Sequence, residues 1–282
     1  MAIHMRDYRV ESIVEFGRGL DHITYKVNDE LIVRFGTEVD VARLAAEVDR
    51  EARLLTTVAE ISPLPVPKPV FADAQQGCLA YFQVPGVPLL DVPERRRLTG
   101  GPVLAATLGD FLAALHTSPI DAMRAGVDAD AVPLAQWRQE AAEFFVALAE
   151  HLPAVHQPSI EVFLSAAPPD DPHALVFSHN DLGIEHVLVD PIQWVVTGII
   201  DWSDAAIVDP AYDFGLIHRD LGPTALDAAL THYRNRDLAA LRERAVFYAR
   251  CSVFEDLAYG LETGQRTYVD KSLGALTWLF PA

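Results

Sequence analysis

Residues 178–190 read SHNDLGIEHVLVD, and residues 198–215 read GIIDWSDAAIVDPAYDFG. Asp181 lies in a polar loop between two apolar runs, five residues before His186, and Asp201 ends the next apolar run, twenty residues after Asp181. Two carboxylates and an imidazole at the ends of adjacent strands can converge on one point. One carboxylate can take a proton from a hydroxyl while the other holds a hard cation. Aspartates in loops also serve simply by accepting loop amides. That plainer reading is preferred for Asp209 and Asp213, which are placed to cap a helix start and brace the loop. His179 is likewise read as a bracing hydrogen-bond partner rather than a base.

These loops need a scaffold, and the hydrophobic pattern supplies one. Tyr8–Phe16, Ile23–Val27 and Leu31–Phe35 are β-rich, with a glycine turn at Gly17–Gly19 and a tight turn at Asn28–Glu30. From Val39 to Val58 apolar residues recur three or four apart, which predicts a helix. SPLPVPKP at 62–69 ends it and forces extended backbone. A hairpin, Val70–Ala74 with Cys78–Val84, precedes the punctuated PGVP at 85–88. Thereafter helical spacing dominates, over Val103–His116, Leu134–Leu152, Leu226–Tyr233 and Asp237–Glu262. A β island interrupts it at Ala174–Ser178, Val187–Val189 and Val195–Ile200. The fold class expected is α+β, with a small β-rich lobe over residues 1–84 and a larger, mainly helical lobe over 85–282. The hinge falls at about 82–88.

Composition narrows the function classes. The 282 residues are 50% hydrophobic and 22% charged, enough apolar surface for a core. Forty acidic residues against 22 basic ones give a net charge of -18, which repels phosphate backbones and argues against nucleic-acid partners. The same field favours a cationic small molecule. No uninterrupted apolar run spans a bilayer and no signal-peptide core opens the chain, so a cytoplasmic protein without a membrane partner is expected. Cys78 and Cys251 stand far apart, without metal-site or disulfide spacing. Oligomeric state has no signature in the sequence.

The loop HNDLGIEH resembles the catalytic loop of the aminoglycoside and macrolide phosphotransferases, antibiotic kinases with a protein-kinase-like fold. IIDW is similar to their metal-binding segment, and DPAYDFG to their Asp-Pro-x-x-Asp segment. The resemblance covers nearly the whole chain in element order and implies a bilobal protein-kinase-like fold. It further implies Asp181 as catalytic base or orienting carboxylate for an acceptor hydroxyl. Asp201 would chelate Mg2+ bridging the phosphates of ATP or GTP, with His186, in the family's Asn position, as a second metal or phosphate contact. Positioning and charge neutralisation suffice for phosphoryl transfer, so this set is chemically adequate.

In the amino-terminal lobe, Gly17 and Gly19 leave room for backbone to approach phosphates, although His22 stands where a third glycine is usual. By the same resemblance, Arg34 in LIVRF takes the place of the phosphate-contacting strand lysine, with Glu51 as its ion-pair partner and Glu47, one turn earlier, as the rival. Phe82, Gln83 and Val84 resemble the hinge that holds the purine edge.

The acceptor is expected between Asp181 and the carboxyl-terminal helices, which carry Asp204, Asp220, Glu255, Asp256 and Glu262. Clustered carboxylates suit a polyamine, so a cationic aminoglycoside is the favoured acceptor and resistance the implied role. A macrolide, with one amine and a large apolar ring, or a small hydroxylated metabolite is the alternative. Two rivals differ in class. A non-catalytic kinase-like binding module would explain Arg34 and His186, but retention of Asp181 and Asp201 speaks against it. A hydrolase using His179, Asp181 and His186 as metal ligands predicts tight transition-metal binding without nucleotide.

Overall fold

A computed structural model of the chain describes residues 4–18, 22–124, 126–233 and 237–282. The first sheet has five antiparallel strands in the order β1 (Ile13–Arg18), β2 (His22–Val27), β3 (Leu31–Gly36), β5 (Cys78–Phe82), β4 (Pro69–Asp73). Asn28 and Asp29 take left-handed backbone at φ 52° and 58°, which small polar residues tolerate, and with Glu30 they close the β2–β3 hairpin. Alternation along β3 turns Leu31 and Val33 into a small core with Val27, Cys78 and Ala80. It sends Arg34 to the opposite face. Helix α1 (Val41–Ile61) is capped by Asp40, whose side chain accepts the amides of Ala42 and Arg43 at 2.9 and 3.1 Å. The proline-rich segment after Ser62 stops it, as expected.

The chain leaves this sheet at Phe82 and enters a second one through β6 (Val87–Pro88), which pairs with β8 (Val187–Asp190). Helices α2 (Glu94–His116), α3 (Ile120–Met123), α4 (Leu134–Ala147) and α5 (Gln157–Ser165) follow β6. The β island then comprises β7 (Val176–Ser178), β8, β9 (Val195–Ile199) and β10 (Ala206–Val208), arranged as β10–β7 and β6–β8–β9. Helices α6 (Ala211–Leu221), α7 (Pro223–His232), α8 (Leu238–Thr263) and α9 (Arg266–Leu279) close the chain. The architecture is α+β and bilobal, as the residue pattern indicated. The large core joins Leu108, Phe111, Trp202, Phe214, Phe254 and Phe280, all within 2% of full burial. At about 25 cal/mol per Å2 of apolar surface, such side chains supply the main driving force for folding.

Helix α2 is long and apolar enough to cross a membrane. Here Leu104, Ala105, Leu108, Leu112 and Leu115 are instead buried in the core of the larger lobe. Two imidazoles in this lobe resist protonation: burial pushes His116 down to about 3 and His218 down to about 4. His116 lies between the Tyr233 hydroxyl at 2.8 Å and the Ser178 hydroxyl at 2.9 Å. In the unfolded chain both imidazoles take up protons near pH 6.5. The unfolded state therefore binds more protons between those pH values, and folding stability falls as pH drops below 6.5. Each contributes a slope of about 1.4 kcal/mol per pH unit at most. Urea midpoints at pH 7, 6 and 5 should decline in the parent chain and decline less steeply in His116→Gln.

Candidate active site

The loop from His179 to His186 leaves β7 and returns into β8. Two aspartates of α6 hold its backbone. Asp213, fully buried, accepts the amides of Asn180 at 3.0 Å and Leu182 at 3.1 Å, and also the Ser178 hydroxyl. Asp220 accepts the amide of Ile184 at 3.2 Å. Asp209 accepts the Ala211 amide at 2.9 Å and pairs with Arg244 at 2.7 Å. Asp213 therefore braces the loop, as its position suggested, while Asp209 holds the first amide of α6, whose N-cap position is Pro210 without a side-chain cap. The Nε2 of His179 lies 3.0 Å from the carbonyl of Ile200, and the Ile200 amide donates to the carbonyl of His186 at 3.0 Å. Those two bonds tie the Asp181 loop to the Asp201 loop.

His186 stands between them. Its Nδ1 is 2.8 Å from the main-chain oxygen of Asp181 and 3.3 Å from the Asp181 carboxylate, while Nε2 is 3.8 Å from the carboxylate of Asp201. Burial opposes charge on His186, yet Asp181, Glu185 and Asp201 together raise its pKa. Burial pushes the Asp181 carboxyl up to about 7 despite the pull of His186. Burial also works against charge on Asp201, but His186 and Arg34 outweigh it and hold that carboxyl below its usual range. Two carboxylates on either side of one imidazole thus carry different proton affinities, the condition for one to exchange a proton while the other stays ionised. Asp201 sits at φ +60°, a conformation that aspartate tolerates better than most residues, and Ser203 donates to its carboxylate at 2.9 Å.

Across the cleft Arg34 donates to Glu51 at 2.7 Å, and its guanidinium also meets the ring of His22. Glu51, rather than the exposed Glu47, is therefore the carboxylate paired with Arg34. A cavity of about 920 Å3 separates the lobes, lined by His22, Arg34 and Glu51 on one side and Asn180, Asp201 and Asp204 on the other. Gly17 lies where the β1–β2 register shifts, and the space beside its α-carbon is open. Gly19 falls outside the described residues. Of the hinge positions, Phe82 ends β5 with its ring half exposed and Val84 is buried. The Gln83 amide is already donated to the Glu30 carbonyl at 2.7 Å, so a base held at this segment must bond to other main-chain groups.

The residues suit a divalent cation that binds with its nucleotide. With Nδ1–H donated to the Asp181 carbonyl, Nε2 of a neutral His186 presents a lone pair toward Asp201. Among the described residues, no three His, Cys, Asp or Glu side chains gather closely enough to form a metal cage. Mg2+ is commonly held this way, by one or two carboxylates with phosphates and water completing the octahedron.

The acidic residues expected on the carboxyl-terminal helices divide. Asp204 lies instead in the loop between β9 and β10, exposed and lining the cleft, while Glu255 and Glu262 are exposed on α8. Asp220 and Asp256 are not available to an acceptor: both are buried, Asp220 against Arg219 at 2.7 Å and Asp256 against Lys271 at 3.1 Å. The expectation that these two line the acceptor site is corrected, because their charge is already spent inside the protein. Arg219, Lys271 and Glu185, which complete that buried cluster, carried no signal of their own in the sequence. The one hint was compositional, Lys271 being one of three lysines in a chain that otherwise uses arginine.

Residues 12–247 match the model of a phosphotransferase enzyme family. The Bacillus subtilis (strain 168) protein YcbJ, itself described as uncharacterized, is 30% identical over 177 residues, 60% of this chain. The match spans about half of that relative, 56% of its length. An APH(2") structure solved with GDP and kanamycin superposes with a TM-score of 0.68 at 20% identity, over 98% of this chain and 95% of that one. A macrolide 2'-phosphotransferase type I superposes at 0.61 with 23% identity, over 98% and 94%. At such identities these likenesses establish the fold.

Proposed function

Because the chain belongs to this phosphotransferase enzyme family, a small-molecule kinase, we propose that it moves the γ-phosphate of ATP or GTP to a hydroxyl of a cationic aminoglycoside. The observation that carries the reading is the cross-linked pair of loops that holds Asp181 and Asp201 about His186, with Asp201 lining a cleft opposite Arg34 paired to Glu51. Asp181 accepts the acceptor's proton or orients its hydroxyl. Arg34, fixed by Glu51, presents positive charge to the phosphates, a role that guanidinium geometry serves well. His186 and Asp201 hold Mg2+, which when bound neutralises phosphate charge. The paired loops keep these groups from reorganising during transfer.

The kanamycin bound in the APH(2") relative supports an aminoglycoside acceptor, as do the exposed carboxylates Asp204, Glu255 and Glu262 and the net charge of -18. The primary test is nucleotide turnover with Mg2+, ATP and GTP in parallel, against panels of aminoglycosides and macrolides. Aminoglycoside-dependent turnover is expected. Turnover with macrolides alone would overturn the acceptor assignment, and failure to bind either nucleotide would overturn the transfer itself.

Exposed ion contacts contribute about 0.2–1 kcal/mol each. Asp204→Asn and Glu255→Gln should therefore each raise the KM for the aminoglycoside by about 1.4- to fivefold with kcat retained. The effect should shrink as salt is added, because solvent-exposed charges are screened. Steady-state kinetics at two ionic strengths will check it.

A further inference from the structure

Beneath the Asp181 loop lies a buried cluster of five charges that phosphate transfer does not itself require. Lys271, on α9, reaches Glu185 at 3.0 Å, Asp256 at 3.1 Å and Asp220 at 3.6 Å. Arg219, on α6, makes two bonds to Asp220, at 2.7 and 3.0 Å, and approaches Asp256 at 3.7 Å. Ser272 donates to Asp256 at 2.6 Å. Three carboxylates thus share two cations, all in side chains with little or no access to water. Such an arrangement is a poor source of stability, because desolvation offsets most of the attraction and well-packed apolar side chains often serve as well. In some proteins such clusters instead specify geometry.

The geometry specified here is that of the loop. Two members of the cluster hold it directly: Asp220 takes the Ile184 amide, and Glu185, the residue before His186, is drawn down onto Lys271. The loop sequence leaves room for this. A β-carbon at Gly183 would lie 2.7 Å from the Glu185 carboxylate, so only glycine lets that side chain fold back unobstructed. Asp213 anchors the loop on both sides of Asp181, at Asn180 and Leu182. The cluster anchors the segment that follows, at Ile184 and Glu185.

We propose that Lys271 is a positioning residue for phosphoryl transfer: by holding Glu185 and Asp220 it fixes the Ile184–His186 segment, and so the placement of His186 between Asp181 and Asp201. The activity arm of the test rests on the phosphotransferase reading above. Without the ammonium group, three carboxylates face one guanidinium, and Glu185, nearest the surface, is the one expelled. His186 moves with it. Arg219 cannot compensate, since Asp220 already occupies it twice.

The test uses the full chain as Lys271→Met, Lys271→Arg, Glu185→Gln and the Lys271→Met/Glu185→Gln double variant. Two measurements are made: amide hydrogen exchange of the peptide spanning Asn180–His186, and steady-state kinetics with GTP and kanamycin. Small displacements of reacting groups cost up to about a hundredfold in rate. In Lys271→Met, kcat should fall about 10- to 100-fold, the Mg2+ concentration for half-maximal rate should rise as His186 is displaced, and loop exchange should accelerate while α1 keeps its protection. Lys271→Arg should restore most of the rate. The double variant should be less impaired than Lys271→Met, because it removes the carboxylate left unpaired.

Unchanged loop exchange in a folded Lys271→Met protein would overturn the proposal, as would losses that simply add in the double variant. If Lys271→Met does not fold, Glu185→Gln decides alone: faster loop exchange at an unchanged melting temperature supports the proposal, and unchanged exchange overturns it. If the parent protein transfers no phosphate to kanamycin, the acceptor reading has failed. The exchange measurement then still judges the role of Lys271.

Discussion

Replacing Asp181 by Asn is expected to lower kcat by about three orders of magnitude while leaving the KM for nucleotide within about twofold. Asn keeps the shape and most of the hydrogen-bonding capacity of Asp but cannot accept a proton. The change spares the local architecture, because the contact that fixes His186 comes from the main-chain oxygen of Asp181, at 2.8 Å. Nucleotide and cation contacts are assigned to Arg34 on the opposite wall of the cleft and to Asp201 and His186, none of which the substitution removes. A loss confined to kcat follows from that division.

The pH dependence provides a second reading of the same residue. Burial raises the Asp181 carboxyl to about 7, and it must be ionised to act as a base. The parent enzyme should therefore gain kcat/KM as pH rises through about 7 and level off above it, since this parameter reports groups in the free enzyme. Bound cation and nucleotide change the charge beside Asp181, so the corresponding limb in kcat should be displaced. The limb should vanish in Asp181→Asn. A variant that keeps a tenth of the parent rate and the same pH limb would remove Asp181 from the chemistry and leave it a bracing role.

Much of this arrangement was legible because it is local. Period-two alternation in LIVRF places Leu31 and Val33 inward and Arg34 on the cleft face, and the structure has them so. The loop motif puts Asp181 and His186 five residues apart, and strand geometry brings Asp201 beside them without help from distant residues. Other features depended on tertiary contacts. The spacing places a helix at Val103–His116, yet α2 starts at Glu94 and runs through Gly100, Gly101 and Pro102. Packing overrides propensity there: a β-carbon at Gly100 would strike the indole of Trp194, 2.2 Å away, and one at Gly101 would touch Leu221. The first strand begins at Ile13 rather than Tyr8, because Tyr8 turns instead to bond Glu30.

Charge was the hardest feature to read. A carboxylate on an amphipathic helix is ordinarily solvated, and nothing in FEDLAYGLETG distinguishes Asp256 from its exposed neighbour Glu255. The difference is made by Lys271 and Arg219, which arrive from two other helices. Acidic residues therefore suggested the acceptor chemistry in aggregate but could not be assigned singly. Asp204 and Glu255 remain candidates to meet a cationic acceptor, while Asp220 and Asp256 face inward cations.

Asp201→Asn carries the second large effect. The Asp201 carboxylate is the group best placed to hold a cation, being ionised, half exposed and 3.8 Å from the Nε2 of His186. Removing its charge should lower kcat/KM about 10²- to 10³-fold and raise the Mg2+ concentration for half-maximal rate at least about tenfold. Mg2+ titration at fixed nucleotide measures this directly. Choosing Asn matters, because residue 201 sits at φ +60°. Asn adopts that region readily, whereas Ala there costs about 1–2 kcal/mol of backbone strain. Asp201→Ala should therefore lose both metal response and melting temperature, and Asp201→Asn only the first. A third consequence separates charge from ligation. Burial alone would lower the pKa of His186, and Asp201 is one of three carboxylates that raise it. With Asn at 201 the imidazole should titrate at lower pH in the cation-free protein, visible by NMR. If the Mg2+ requirement stays unchanged while the His186 titration moves, Asp201 tunes the imidazole and the cation is held elsewhere. If both move together, a single carboxylate sets the proton on His186 and holds the cation that displaces it.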